Sequence, residues 1–314
     1  MYRQFWITFF LLINVVIALN HPALSQTPTS PKALVLLVDF PDRAGAVSPE
    51  YFRDLLFGTS PSVAPQGSLR DYYLEVSYGV LQLEGEVNAP GVSWLRLPQE
   101  MTYYAGGRSG VGSYPNNAQK MVEDAVVAAR AAGIDFGPYD TDNDGYVDAL
   151  FVVHAGRGAE YTGSGNDIWS HRWVTRSPVA TGSTNAAGQP VYVYGYTTEP
   201  ETWFGGTDMT IGVFAHEYGH TLGLPDLYDT DYSSKGVGDW SLMGSGSWNG
   251  GMGEVPAHLD AWSKCVLGWV TPVQVTGTLV DEPISQVESE PDVYQFGDGD
   301  CRRPGHGEYF LVEN

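Results

Sequence analysis

The chain is poor in cysteine, poor in positive charge and, beyond residue 25, without any long apolar run. Each shortage excludes something. Cys265 and Cys301 are the only two cysteines in 314 residues, too few for a disulfide-built scaffold or a thiolate zinc cluster. In an oxidising compartment they could form one bridge or remain two thiols, and spacing alone does not choose. Lysine and arginine number 16 against 37 acidic residues, a formal net charge of -21. Such a surface repels phosphate backbones and anionic lipid, which argues against nucleic acid and membrane as partners and favours bound cations. After residue 25 no stretch reaches the roughly 20 apolar residues a spanning helix needs. No internal repeat is present.

The first residues carry the long apolar run that the rest lacks. Arg3 precedes the apolar stretch Phe5 to Leu19, and Ala23-Leu24-Ser25 reads as a small-x-small cleavage site. Residues 1–25 are therefore read as a signal peptide, 26–32 as a short linker and 33–314 as the folded domain of a secreted protein. Ala33 to Asp39 and Ala149 to His154 have the composition of buried strands. Val80 to Val87 and Val191 to Thr198 alternate, the latter through Tyr192, Tyr194 and Tyr196, as an exposed or edge strand does. Helices are predicted over Ser68 to Tyr78, Ala118 to Ala132 (capped by Asn117 and closed by Gly133), Thr210 to Leu222, and from Pro256 towards Leu267. Residues 105–117, rich in Gly, Ser and Asn, read as a loop. Strands mixed with helices of these lengths predict an α/β or α+β domain, with a mixed twisted sheet and one chemistry-bearing helix.

That helix carries His216-Glu217-Tyr218-Gly219-His220. Histidines four residues apart share one helical face and can share one ion, and neutral imidazole is a preferred zinc ligand. Gly223 can take positive φ and end the helix, returning the chain so that Asp226 supplies a third ligand within H-E-x-x-H-x-x-G-x-x-D. Glu254 is a second candidate for that position. Ser241-Leu242-Met243-Gly244 has the character of a methionine-containing turn beneath the metal, with Met243 at its centre. Three protein ligands leave one position for water, whose proton Glu217 accepts as general base. Tyr228 and His171 are candidates for a second oxyanion stabiliser. The tyrosine-rich strand at 191–198 is a candidate for aligning an extended substrate by strand addition.

A second ion is suggested by Asp140-Thr141-Asp142-Asn143-Asp144-Gly145-Tyr146-Val147-Asp148. Alternating oxygens from Asp140, Asp142, Asp144 and Tyr146 can converge on a calcium ion while Gly145 allows the sharp turn. The twelfth position is Phe151 rather than Glu, so this is not an EF-hand, and Asp148 is the candidate that closes the shell.

Beyond the zinc string, the chain resembles the immune inhibitor A family of secreted bacterial metalloproteases. The matching segments are Ser68 to Gly79, Asp140 to Glu160, Trp169 to Trp173, His216 to Tyr228, Gly238 to Gly246, Pro256 to Trp262 and Glu308 to Asn314. The resemblance implies a metzincin-like peptidase domain, extracellular proteolysis of protein or peptide substrates, a catalytic zinc and a structural calcium. Relatives usually carry an N-terminal propeptide and continue past the point where this chain stops, which is consistent with truncation here. Three other readings compete: a calcium-dependent adhesin on an inactive scaffold, a closed structural zinc site, and an exopeptidase or amidase using the same metal chemistry.

Overall fold

The computed structural model describes residues 30–231, 233–303, 305 and 307–314. The stretch read as a signal peptide, residues 1–25, and most of that read as a linker lie outside the described residues. In chain order the elements are β1 (Lys32–Asp39), α1 (Pro49–Phe57), α2 (Leu69–Val76), β2 (Glu84–Val87), β3 (Leu95–Arg96), α3 (Met101–Ala105) and α4 (Ala118–Ala131). They continue with β4 (Ala149–Arg157), α5 (Ala159–Thr162), β5 (His171–Thr184), β6 (Pro190–Thr202), α6 (Ile211–Thr221) and α7 (Ala261–Val266), and end with β7 (Val273–Val275), β8 (Tyr294–Gly297) and β9 (Tyr309–Val312).

A mixed sheet runs β2-β1-β4-β6-β5, with β3 pairing the far end of β1. All its strands are parallel except β5, which pairs antiparallel with β6. Parallel neighbours need long crossovers, and covering helices on both faces leave their strands apolar throughout. In β1, Ala33, Val35 and Leu37 face one core, shared with α1, α2 and α6. Leu34, Leu36 and Val38 face the other, shared with α3 and α4. Fully burying each such aliphatic side chain is worth about 2 kcal/mol, so the two central strands anchor both layers.

At the carboxyl ends of the strands, Glu201 ties three segments together. Its carboxylate accepts from the Ala46 and Val47 amides at 2.6 Å each and from the Gly156 amide at 2.8 Å. It fixes the loop after β1 against the end of β4, beside the crevice where open α/β sheets bind ligands. Past α7, the small β7-β8-β9 sheet packs through Leu311 near Val270, Val287 and Val293. A disulfide joins Cys265 to Cys301, whose Cα atoms are 6.2 Å apart, which answers the pairing left open by sequence.

Four sequence expectations are corrected. The 191–198 strand is interior, flanked by β4 and β5, and the edge belongs to β5. Tyr192 and Tyr194 lie beside Tyr146, whereas Tyr196 is buried with Val191 and Val193 in the core on the α4 side. The Val80 to Val87 strand is confined to Glu84–Val87. The final helix does not start at Pro256: it begins after Asp260, whose carboxylate caps the Ser263 amide, and spans only Ala261–Val266. Pro256 fixes one φ but supplies no cap acceptor, and a cap decides where a helix starts. Lys32, assigned to the linker, already pairs with Glu84 as the first residue of β1.

Candidate active site

α6 returns across the sheet after β6, packing Phe214 and Tyr218 on Phe151 of β4. That contact turns His216 and His220 away from the core on one helical face. Their ring centroids lie 4.8 Å apart at 86°. The helix then stops where Gly223 takes φ 97°. The chain reverses, and the Leu227 amide donates to the Met243 carbonyl at 2.8 Å. This pins Asp226 opposite the two rings, with Oδ1 3.2 Å from Nε2 of His216 and 3.2 Å from Nε2 of His220.

Each ring is oriented by a backbone carbonyl on its other nitrogen. Nδ1 of His216 is 2.9 Å from the Leu242 carbonyl, and Nδ1 of His220 is 2.8 Å from the Leu224 carbonyl. With Nδ1–H donated there, each Nε2 points at Asp226, to which it donates when protonated and beside which it can offer its lone pair to a metal when neutral. Coordinating atoms of His216, His220 and Asp226 all lie within 4.8 Å of one another. Two imidazoles and one carboxylate, all half-buried, form a donor set that suits zinc and leaves a position open.

Met243 is fully buried beneath the helix. Glycine at 219 is required by that approach, because a Cβ there would stand 2.5 Å from the Met243 sulfur. The fourth residue of the H-E-x-x-H string is thus set by packing between the turn and α6.

Electrostatics mark the same spot. Burial favours neutral His216, but the Asp226 hydrogen bond and the Glu217 charge outweigh it and lift the ring to about 9. Burial pushes Asp226 up, yet its two imidazole partners hold it well below the usual carboxylate range. Glu217 is 6% exposed. Burial raises its pKa, the imidazoles oppose the rise, and the Arg172 amide of β5 adds a weaker lowering contact. A poised carboxyl beside a cation-binding cluster suits general base work.

The other sequence candidates separate. Tyr228 stacks on His216 with centroids 6.3 Å apart and planes 20° apart, so its ring belongs to the site. His171 does not. Its Nδ1 lies 2.7 Å from the Trp169 carbonyl and its Nε2 3.4 Å from the Tyr196 hydroxyl. Burial holds it near 4, and it is spent inside the sheet against Trp173 and Tyr196. Glu254 is exposed and lines a separate cavity beside Thr207 to Ile211, so it is not brought to the histidines.

Sequence reasoning missed two acids near Glu217. Glu160 of α5 accepts from the Ser170 amide and hydroxyl, and burial lifts it to about 7. Glu199 of β6 is fully buried, and burial raises it well above the usual range, with the Glu217 and Glu160 charges adding to the rise. For Glu199 the available signal was a carboxyl directly after the predicted 191–198 strand. The carbonyls of Leu224 and Leu242 had none, since a backbone oxygen leaves no trace in residue type.

The acidic loop folds on itself. Gly145, at φ 90°, donates its amide to Asp140. The Asp144 amide donates to Asp140 and Asp142 at 3.1 Å each, and Asp144 accepts from the Tyr146 amide at 2.8 Å. Asp140 also accepts from Asn185 at 2.8 Å. Oxygens of Asp140, Asp142 and Asp148 lie within 4.8 Å of one another. Burial and then the neighbouring carboxylates push Asp144 upward. Asp148 is raised by burial too, with Asp142 adding to it. Crowded carboxylates of this kind are what a hard cation relieves. Asp144 itself is turned to the local backbone and stands outside that three-residue cluster.

Against known proteins, residues 22–270 match the family described as immune inhibitor A peptidase M6, catalytic domain. Immune inhibitor A of Bacillus thuringiensis subsp. alesti is 34% identical over 278 residues, covering 74% of this chain and 39% of the relative. The pre-pro-metalloprotease PrtV of Vibrio cholerae serotype O1 (strain M66-2) is 32% identical over 324 aligned positions, covering 87% of this chain and 33% of the relative. The chain thus spans about a third to two fifths of the length of these relatives.

Proposed function

Because the chain belongs to the immune inhibitor A peptidase family, we propose that it is a secreted, zinc-dependent endopeptidase that hydrolyses peptide bonds of extracellular proteins. The observation that carries this reading is the cluster of His216, His220 and Asp226 around one point, with both ring tautomers fixed by backbone carbonyls and Glu217 alongside. These three residues would hold the zinc. When bound, it polarises the scissile carbonyl and acidifies water.

The chain's own residues do the rest. Glu217 takes the proton of the attacking water and delivers it to the leaving amine. The Leu242 and Leu224 carbonyls keep the imidazoles aimed, and Asp226 balances their charge. Tyr228, stacked on His216, is the group available to donate to the developing oxyanion. The Ser241 to Gly244 segment with Met243 serves as the Met-turn of a metzincin-like domain, supporting the helix from below. If the substrate adds as a strand, it does so on β5, whose outer edge has no strand partner among the described residues. Asp140, Asp142 and Asp148, with the loop carbonyls including that of Tyr146, hold a structural calcium. The domain of residues 33–314 follows a cleaved signal peptide of residues 1–25.

A closed structural zinc site would need a fourth protein ligand, and among the described residues the cluster offers three. Elemental analysis of purified protein alongside casein digestion tests the proposal. One equivalent of zinc, with digestion lost on zinc chelation and restored by zinc, is the expected result. Digestion that persists in zinc-free protein rejects it.

A further inference from the structure

The WSHRW segment supplies β5 with one residue that the chemistry above leaves unused. Arg172 stands opposite Thr197 in β6, which in turn stands opposite Phe151 in β4. Phe151 touches both Phe214 and Tyr218 of α6. Side chains opposite one another in a sheet share a face. The Arg172 side chain therefore leaves the sheet on the α6 face, level with the helical turn that carries Glu217. Its own amide is a lowering contact on the Glu217 carboxyl. The guanidinium then reaches over Gly195, where Nη2 lies 3.8 Å from the position a Cβ would take. Glycine at that point leaves the space open.

Like Arg130, Arg157, Arg176 and Arg302, Arg172 has no carboxylate in salt-bridge reach among the described residues, and its amide against Glu217 is what places it at the site. Arg43, Arg53, Arg70, Arg96, Lys120 and Arg303 each pair with a carboxylate. Arg172 is exposed, its electrostatic neighbour is the Tyr194 phenol, and among the described residues no carboxylate pairs with it. In a chain of net charge -21, a guanidinium without an acid partner, on a residue whose amide meets Glu217, is a fixed positive charge that attracts an anion. Arginine's fork also matches a carboxylate in two-point geometry.

We propose that Arg172 is a specificity-determining residue that binds a substrate carboxylate next to the scissile bond. The inference rests on the peptidase reading and adds to it a preference for acidic peptides. The carboxylate comes either from a Glu or Asp side chain or from a free C-terminus.

The test uses the full zinc-loaded chain and quenched fluorescent peptides. Isosteric sets place Glu, Gln or Lys at each position flanking the cleaved bond, and a parallel set compares free with amidated C-termini. At one position, kcat/KM for Glu should exceed that for Gln by about tenfold, with Lys lower still. Arg172→Gln should bring the Glu-to-Gln ratio close to one, Arg172→Glu should invert the Glu-to-Lys order, and Arg172→Lys should keep part of the preference. Zinc content of each variant confirms that the site is intact. A preference that follows the free C-terminus instead supports the same contact and assigns the terminal carboxylate as its source. Wild-type protein that cleaves all sets alike, or variants that lower every set equally, overturn the inference while leaving the peptidase reading intact. Failure to cleave any peptide overturns both.

Discussion

The two candidate cation-binding regions are built on opposite plans. The Asp140 to Asp148 loop is nearly self-contained: its acids are within nine residues, and its own amides fold them together. The His216, His220 and Asp226 cluster is assembled from a helix, a reversed segment and a distant turn, and its rings are aimed by carbonyls at positions 224 and 242. A local loop gathers its acids with little help from the rest of the fold and ties to it through Asn185, so it suits a structural ion. A site that depends on three segments must be held rigid, and rigidity is what catalysis requires. On the proposed reading the first region governs stability and the second chemistry.

Substitution at Glu217 separates the two roles most sharply. Glu217→Gln should lower kcat/KM for a peptide by about 10³-fold while retaining zinc and leaving thermal unfolding unchanged. Substantial turnover in that metal-loaded variant would remove the carboxyl from the mechanism. Next comes the third ligand. Asp226→Ala should weaken zinc binding at least a hundredfold or so, since losing a direct ligand costs more than losing an outer partner. Titration with a competing chelator reads this, and an unaltered affinity would return Glu254 to consideration.

Calcium tests the other side of the comparison. Removing an ion held at about a hundred times its Kd costs about 2.7 kcal/mol, so a calcium-selective chelator should lower Tm by several degrees. Asp140→Asn should abolish that response and leave zinc stoichiometry alone. A Tm indifferent to calcium would reduce the loop to an acidic turn. The smallest effect serves as the baseline. Asn117 caps α4 by accepting from the Lys120 amide at 3.3 Å, far from either region. Asn117→Ala should cost about 1 kcal/mol, visible in Tm but in neither metal content nor activity. If it altered activity, stability and chemistry would not be as separable as the comparison holds.

Much of this was legible beforehand. The apolar runs of β1 and β4, the Asn117 cap, the Gly223 stop and the H-E-x-x-H spacing are local patterns with local physical causes. Misreadings came where tertiary context wins. The tyrosine alternation of β6 suggested an edge, but the 14-residue β5 lies outside it and takes that place. Pro256 suggested a helix start, but the cap acceptor is at Asp260. His171 looked free to act until Tyr196 and the Trp169 carbonyl engaged both its nitrogens.

Periodicity, composition and ligand spacing determined the layered α/β class, the helix with the H-E-x-x-H spacing and the acidic loop, because each arises from interactions within a few residues of chain. Only the tertiary structure decided that Asp226 rather than Glu254 meets the histidines, that Met243 demands glycine at 219, that Cys265 meets Cys301, and that Glu160, Glu199 and Arg172 gather near Glu217. Those are contacts between segments far apart in sequence, set by how sheet, helix and turn pack, and residue order alone carries no measure of that packing.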